Sequence, residues 1–135
     1  MKRLSRLVSF IIIGSLVIFS GCEQDNSTSP TPDRDKLFGV WDCSSDGNGG
    51  PRNFSLTISA SNSAEDQIKM ENFDGGTGIV FANVSGNSIS IPSQQVGFET
   101  VSGNGTYHGS TITFSYSLDD GQGVEHRNAT ASNKH

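Results

Sequence analysis

The sequence predicts an all-β protein, a small antiparallel up-and-down barrel of about eight strands. Three observations predict it. From residue 37 onward, apolar and polar residues alternate in short runs, glycine-containing turns separate these runs, and no stretch has the period of an amphipathic helix. About eight strands is the number at which the interior of a closed sheet is just filled by side chains or holds one small ligand.

The first 21 residues have the three-part pattern of a secretory signal peptide. A basic cluster, Lys2, Arg3 and Arg6, precedes the uncharged run 7–19, and small residues follow it. This run is shorter than the roughly 20 apolar residues that a membrane-spanning helix needs. We therefore predict that residues 1–21 are removed on export.

The segment Phe19-Ser20-Gly21-Cys22 resembles the lipobox of bacterial lipoproteins. The resemblance covers residues 1–22 and implies cleavage between Gly21 and Cys22 and attachment of a diacylglyceryl group to the sulfur of Cys22. Phe19 departs from the pattern, because these signals usually have Leu, Val or Ile at that position. The alternative is an ordinary secretory signal followed by a chance cysteine.

Lipidation of Cys22 would hold the protein on a membrane. One acyl chain binds only marginally, whereas the two or three chains of a bacterial lipoprotein, palmitate among them, give firm retention. In this family a residue other than Asp after the cysteine generally permits transfer to the outer membrane, and Glu23 satisfies that rule. We expect a protein of the cell envelope, anchored by lipid to the outer membrane.

Residues 22–36 have the composition of a flexible linker. They are polar, contain Pro30 and Pro32, and show neither alternation nor helical periodicity. We place the domain boundary here, so that residues 37–135 form the barrel domain.

Short alternating runs within this domain predict the strands. The clearest run places Ile112, Phe114, Tyr116 and Leu118 on one face and Thr or Ser on the other. Glycines mark the turns, as in Asn104-Gly105. Pro92 has no N–H for a ladder, so we expect it to end its strand or to lie at an edge. The predicted strands are 38–43, 54–60, 68–73, 79–84, 89–91, 96–101, 111–118 and 124–131.

The Gly-x-Trp of Leu37-Phe38-Gly39-Val40-Trp41 resembles the opening of lipocalin-like barrels. The succession of strands over residues 37–131 is similar to that of small bacterial lipoproteins of this type. The resemblance implies that Trp41 closes one end of the barrel and that Arg127, near the C-terminus, packs across its ring. Relatives often pair a cysteine in the last strand with one at the position of Cys43, but Arg127-Asn128-Ala129 stands there. Cys43 is therefore expected to be a free thiol, either buried or exposed.

The charge of the chain argues against a nucleic-acid partner. The sequence has nine Lys and Arg against fourteen Asp and Glu. Loss of the signal peptide removes three of the basic residues and leaves a net charge of −8. The six basic residues that remain are scattered, whereas phosphate backbones are bound by clustered Lys and Arg.

No motif for catalysis, a metal or a cofactor is present. The spacing of His108 and His126 matches no ligand pattern, and His108 lies in a predicted turn. The acidic stretch Asp119-Asp120-Gly121 lacks the Glu that an EF-hand requires. We therefore predict a protein that is not an enzyme and binds no metal or cofactor; an envelope hydrolase is a remote alternative.

Two functions remain open from the sequence. The barrel is expected to act as a binding module for a small apolar or amphiphilic ligand. Alternatively, a solidly packed barrel is a docking or inhibitory partner of another envelope protein, using its loops or the strand near Pro92. The aromatic residues are interpreted first as core filler and second as the lining of an apolar pocket; the best candidates for that lining are Phe54, Phe81, Phe98, Phe114 and Tyr116.

Overall fold

The computed structural model describes residues 33–134. They form two short 3₁₀ helices and eight antiparallel strands, and each strand pairs with the next along the chain. Because the last strand also pairs with the first, the sheet is closed, and the predicted all-β up-and-down barrel is confirmed. The elements are η1 (Asp33–Leu37), β1 (Gly39–Gly47), β2 (Arg52–Ala60), β3 (Gln67–Glu71), η2 (Phe73–Gly75), β4 (Ile79–Ser85), β5 (Ser88–Val96), β6 (Glu99–Tyr107), β7 (Thr111–Asp119) and β8 (Val124–Asn133).

The two ends of the barrel differ, because successive strands run in opposite directions. The end at which β1 begins holds η1 and the connections β2–β3, β4–β5 and β6–β7, and we call it the proximal end. The opposite, distal end holds the other four connections, residues 48–51, 72–78, 97–98 and 120–123. The described chain therefore begins and ends at the proximal end.

Alternate side chains of most strands point into the barrel. On β7 the predicted apolar face is buried, with each of Ile112, Phe114, Tyr116 and Leu118 at most 5% exposed. Strands β1, β2, β4 and β8 alternate in the same way and contribute to one continuous core. Full burial of a large apolar side chain contributes about 1.5–3 kcal/mol, so this core is the main source of stability.

The proximal end is closed by η1 and Trp41. The indole Nε1 of Trp41 donates a hydrogen bond to the carbonyl oxygen of Leu37 at 2.8 Å, and both side chains are fully buried. The Trp41 ring also packs edge-on against Tyr107, with centroids 6.3 Å apart. The guanidinium of Arg34 donates to three backbone carbonyl oxygens at 2.7–3.0 Å, those of Ser61, Ala64 and Gln67.

These contacts move the boundary of the folded domain. Residues 33–36 were predicted to belong to the linker, but they form most of η1 and are hydrogen-bonded to the barrel. The folded domain therefore includes residues 33–36, which precede the predicted boundary at residue 37. The predicted signal peptide 1–21, the lipidation site Cys22 and the linker up to residue 32 lie outside the described residues.

Strand β6 lies further along the chain than predicted. The predicted strand 96–101 spans the β5–β6 turn, and Asn104-Gly105, predicted as a turn, lies within β6. The glycines of β6 face the large rings of β7, with Gly103 opposite Tyr116 and Gly105 opposite Phe114. An added Cβ on Gly103 would lie 2.6 Å from the Cα of Tyr116. These glycines therefore permit close packing of two strands rather than a turn.

The ladder between β4 and β5 covers only their proximal parts, ending at Asn83 and Ser90. The same register would place Pro92 opposite Phe81, and proline has no N–H to donate to the Phe81 carbonyl. The side chain of Gln94 replaces the missing partner: its Nε2 donates to the Phe81 oxygen at 2.7 Å, and its Oε1 accepts the Phe81 N–H at 2.8 Å. Pro92 thus lies inside β5 rather than at its end, on the edge that β4 leaves unpaired, which is the second of its two expected positions.

Candidate ligand cleft at the distal end of the barrel

One aromatic side chain closes the distal end from inside. Phe73, in η2, is 4% exposed, and its ring packs edge-on against Phe54, Phe114 and Tyr116 with centroid distances of 4.8–6.4 Å. The backbone beside it is left-handed at Asp74, with a φ of 54°, a conformation that Asp adopts more readily than most residues. The barrel interior at this level is packed with aromatic rings.

A buried ionic network fastens η2 to the barrel wall. The Arg127 side chain is fully buried, and its Nε lies 3.3 Å from Oδ1 of Asp74. The same carboxylate accepts hydrogen bonds from the hydroxyls of Tyr116, at 2.5 Å, and Ser45, at 3.2 Å, and forms an ion pair with Arg52. Because each buried charge faces an opposite charge, the cost of removing both from water is largely offset.

Glu125 is the partly exposed outer member of this network. Its carboxylate pairs with Arg127, lies 3.6 Å from Nη2 of Arg52, and accepts the Gly49 N–H at 2.9 Å. The Gly49 N–H and, next, Arg127 hold the pKa of Glu125 below its ordinary value of 4.5. Burial lowers the pKa of Arg127, but its partners, Glu125 first among them, more than offset this and raise the pKa overall. Both ends of this ion pair are therefore charged at neutral pH.

The hydroxyl of Tyr116 remains protonated in this network. Burial, followed by the hydrogen bond to Asp74, raises the pKa of Tyr116 above its ordinary value of 10.0. A phenol that stays protonated can only donate to the carboxylate beside it. The network therefore has a structural role, because it joins η2 to strands β1, β2, β7 and β8.

Beside the network, a cleft opens into the core where β4 and β5 separate. Its volume is about 450 Å³, within the range of about 300–1,000 Å³ that is typical of ligand sites. Four core side chains form its floor: Phe73, Val80, Val101 and Leu118. The loop after η2 and the tip of the β5–β6 hairpin form its walls; the remaining lining residues are Arg52, Asp74, Gly75, Gly76, Thr77, Gly78, Val96, Gly97, Phe98 and Glu99.

The rim of the cleft carries both apolar and charged groups. Phe98, at the hairpin tip, is 95% exposed. Glu99 follows it, and its carboxylate forms no hydrogen bond or ion pair within residues 33–134. The charge of Arg52 is already matched by Asp74 and Glu125. The cleft thus combines an apolar floor with one uncompensated negative charge at its edge.

A second hollow, of about 590 Å³, lies on the barrel wall over β1, β2 and β8. Six of its eight lining residues are polar, and it is shallower than the distal cleft. The distal cleft is the better candidate because its floor is the hydrophobic core itself.

The structure does not bring together the two residues that the lipocalin-like resemblance pairs. Trp41 stands opposite Asn133 at the proximal end, whereas Arg127 stands opposite Gly47 at the distal end. Six residue positions separate them along the strand, which corresponds to about 20 Å. Tyr107 packs against the Trp41 ring instead, and the carboxylates of Asp74 and Glu125 face Arg127. The expectation that Arg127 packs across the indole ring of Trp41 is therefore wrong.

The five aromatic candidates for a pocket lining have three different locations. Phe54, Phe114 and Tyr116 are core filler around Phe73, and Phe81 lies on the outer wall. Phe98 alone among the five lines the cleft. Phe73 was expected, with the other aromatic residues, to be core filler, and it does belong to the core, but its place in the cleft floor was not predicted; the glycine-rich run 74–78 after it was the available signal for a widened loop.

The histidines and acidic turns do not form a common site. His108 lies in the proximal β6–β7 connection, and His126 lies on β8 near the distal end, exposed, with its Nδ1 2.8 Å from the Ser117 hydroxyl. Within residues 33–134, no carboxylate is bonded to the His126 ring to orient it as a base. Asp120 accepts the N–H groups of Gln122 and Gly123, which hold its pKa below the ordinary value. Such bonds are typical of turns.

Cys43 is a buried free thiol, which is one of the two possibilities, buried or exposed, that the sequence left open. Its side chain is 4% exposed, and burial raises the pKa of its thiol to about 12. Since the thiolate is the reactive form, this thiol is inert while the barrel is folded.

Comparison with models of known protein families and with curated proteins gave no match. None of the helices in residues 33–134 has the length and apolar character needed to cross a membrane. The assignment of the distal cleft therefore depends on its own geometry.

Proposed function

We propose that this protein is a non-catalytic binding module of the bacterial cell envelope, anchored by a lipid on Cys22, and that it binds a small apolar or amphiphilic molecule in the distal cleft. The observation that carries the proposal is the cleft of about 450 Å³ whose floor is the core of the barrel. Apolar floors with a few polar groups at the rim are typical of sites for such molecules.

The segment that would carry the lipid anchor joins the barrel at the end opposite the cleft. The described chain begins at Asp33, at the proximal end, and ten residues separate it from Cys22. If extended, these residues span about 30 Å. Because this attachment point is opposite the cleft, the anchor leaves the cleft free to face away from the membrane, and we expect the ligand to arrive from the aqueous side.

The anchor is tested by metabolic labelling with radioactive palmitate. The wild-type protein should be labelled and should fractionate with the outer membrane, in keeping with Glu23 after the cysteine. The Cys22→Ala variant should be unlabelled and released from membranes. An unlabelled wild-type protein would contradict the lipid anchor without bearing on the cleft.

Binding is tested with the mature chain, residues 22–135, carrying Cys22→Ser so that no lipid is attached. The neutral fluorescent probe N-phenyl-1-naphthylamine should bind with a blue-shifted, enhanced emission. Phe98→Ala should weaken binding about fivefold, because the bound probe would lose its contacts with the ring, which are worth about 1 kcal/mol. Phe98 is 95% exposed, so its removal should leave the stability of the barrel unchanged.

The matched control is Phe81→Ala, the same substitution at a partly exposed position on the outer wall. It should leave probe affinity unchanged. Equal weakening by both variants, or no probe binding by the folded wild-type domain, would reject the cleft as a ligand site.

The exposed ring of Phe98 also favours a second candidate, in which the distal end docks on another envelope protein. A photo-crosslinking residue in place of Phe98, introduced in the lipidated chain in intact cells, should then give one specific adduct. The same residue in place of Phe81 should give none. Adducts at both positions or at neither would reject a protein partner at the distal end.

A further inference from the structure

Carboxylates outnumber cations at the distal end. Glu71, at the end of β3, is paired with Lys69. The two distal guanidiniums pair with Asp74 and Glu125, so four carboxylates remain without a cation among the described residues. These four are Asp46, Glu99, Asp119 and Asp120.

Glu99 differs from the other three carboxylates in position and bonding. The others accept hydrogen bonds from backbone N–H groups of their own turns. Glu99 makes no such bond within residues 33–134, and it lines the apolar cleft. Its charge is therefore available to a molecule seated on the cleft floor.

We propose that the occupant of the distal cleft is a cationic amphiphile, with its apolar chain on the floor and its ammonium group beside Glu99. This inference rests on the proposed function and specifies the class of ligand. The floor of Phe73, Val80 and Leu118 accepts the chain, and Phe98 can cover it. An anionic amphiphile finds no free cation at the rim, because Asp74 and Glu125 already neutralise Arg52.

The inference is tested by competition with the mature Cys22→Ser chain and bound N-phenyl-1-naphthylamine. Decylammonium, decanoate and 1-decanol share one chain length and differ in the charge of the head group; each is used below the concentration at which it forms micelles. Decylammonium should displace the probe at a concentration several-fold lower than decanoate, with 1-decanol between them. Salt should reduce this preference, because the Debye length shortens from about 10 Å at 0.1 M to about 3 Å at 1 M.

Glu99→Gln should weaken decylammonium binding about two- to fivefold, the usual effect of one exposed ion pair, and should leave 1-decanol binding unchanged. The matched control is Glu65→Gln, which removes the same charge from the proximal β2–β3 connection and should change neither.

Decanoate binding as tightly as decylammonium, or equal effects of the two glutamate variants, would overturn the inference while leaving the cleft as a site for neutral molecules. If the folded chain binds neither the probe nor 1-decanol, the proposed function fails as well.

Discussion

At the scale of single residues, Arg127 determines how the distal end is held together. Its guanidinium has no exposed side-chain surface and faces Asp74 and Glu125. A buried pair adds little over a well-packed apolar pair, but removing one partner leaves the other charge buried without compensation. The stability of the distal end therefore depends on keeping the network complete.

Arg127→Met should destabilise the domain by up to about 3–5 kcal/mol, because the buried Asp74 would keep only the partly exposed Arg52 as a cationic partner. Urea unfolding, followed by the fluorescence of the single tryptophan, Trp41, measures this loss. Adding Asp74→Asn to Arg127→Met should restore part of the loss, since the buried carboxylate that has lost one of its two cations disappears. A double variant whose loss equals the sum of the two single losses would show that the two residues are not coupled.

Glu125 should make the domain sensitive to acid. Its pKa is held below 4.5 in the folded state, chiefly by the Gly49 N–H and then by Arg127. A lowered pKa in the fold means that the carboxylate's contribution is complete above about pH 4.5 and is lost as the pH falls through the folded-state value. Glu125→Gln should therefore lower stability at pH 7 and flatten its decline below pH 4.5.

Thermal unfolding from pH 7 to pH 3 tests this expectation. Glu65→Gln is the control, because Glu65 forms no hydrogen bond or ion pair within residues 33–134 and should keep the wild-type profile. Some acid sensitivity should persist in Glu125→Gln, because backbone N–H groups also lower the pKa of Asp120. An unchanged slope in Glu125→Gln would contradict the assignment.

At the scale of elements, the close approach of β6 and β7 depends on glycine. Gly103→Ala should destabilise the domain by about 1–3 kcal/mol, since the added methyl group would overlap the Tyr116 backbone of the neighbouring strand. The control is Gly123→Ala, where no atom lies within 4 Å of the added methyl group, and it should be neutral within about 0.5 kcal/mol. Equal stability of the two variants in urea would refute the packing role of Gly103.

The same strand shows which elements a sequence can predict. Strands with strict alternation, such as β2 and β7, were found close to their expected positions, because burial of one face requires that pattern. The predicted position of β6 was wrong because glycine occurs both in turns and where two strands pack closely. Only the residue that faces the glycine on the neighbouring strand distinguishes the two cases. Pro92 lies on the edge of β5 that β4 leaves unpaired, one of its two expected positions, but the compensating amide of Gln94 could not be predicted because it depends on the fold.

The candidate site was less predictable than the barrel. Its floor combines Val80, Val101 and Leu118 from three strands, and the register that brings them together is not encoded in any local motif. Phe98 was among the sequence candidates, but its role at the rim follows from the separation of β4 and β5. Arg127 was recognised from a family resemblance, yet its partners are carboxylates at the end opposite Trp41.

At the scale of the whole molecule, the two ends of the barrel differ in how they are closed. The proximal end is sealed by η1, by the buried Leu37 and by hydrogen bonds from Arg34. The distal end keeps an open cleft beside its ionic network. This division is what the proposed anchored binding module requires: a closed end where the segment from Cys22 joins the barrel and an open end for a ligand.

This division makes η1 part of the folding unit, and truncation tests it. A chain of residues 33–135 should unfold at the same urea concentration as residues 23–135, since residues 23–32 have the composition of a linker, whereas Asp33 accepts the Gly86 N–H. A chain of residues 38–135 should lose about 3 kcal/mol or more, because it lacks the fully buried Leu37, whose deletion leaves a cavity beside Trp41. It also lacks the carbonyl that accepts the indole N–H. Equal stability of all three chains would show that η1 is dispensable and that the barrel is sealed by its strands alone.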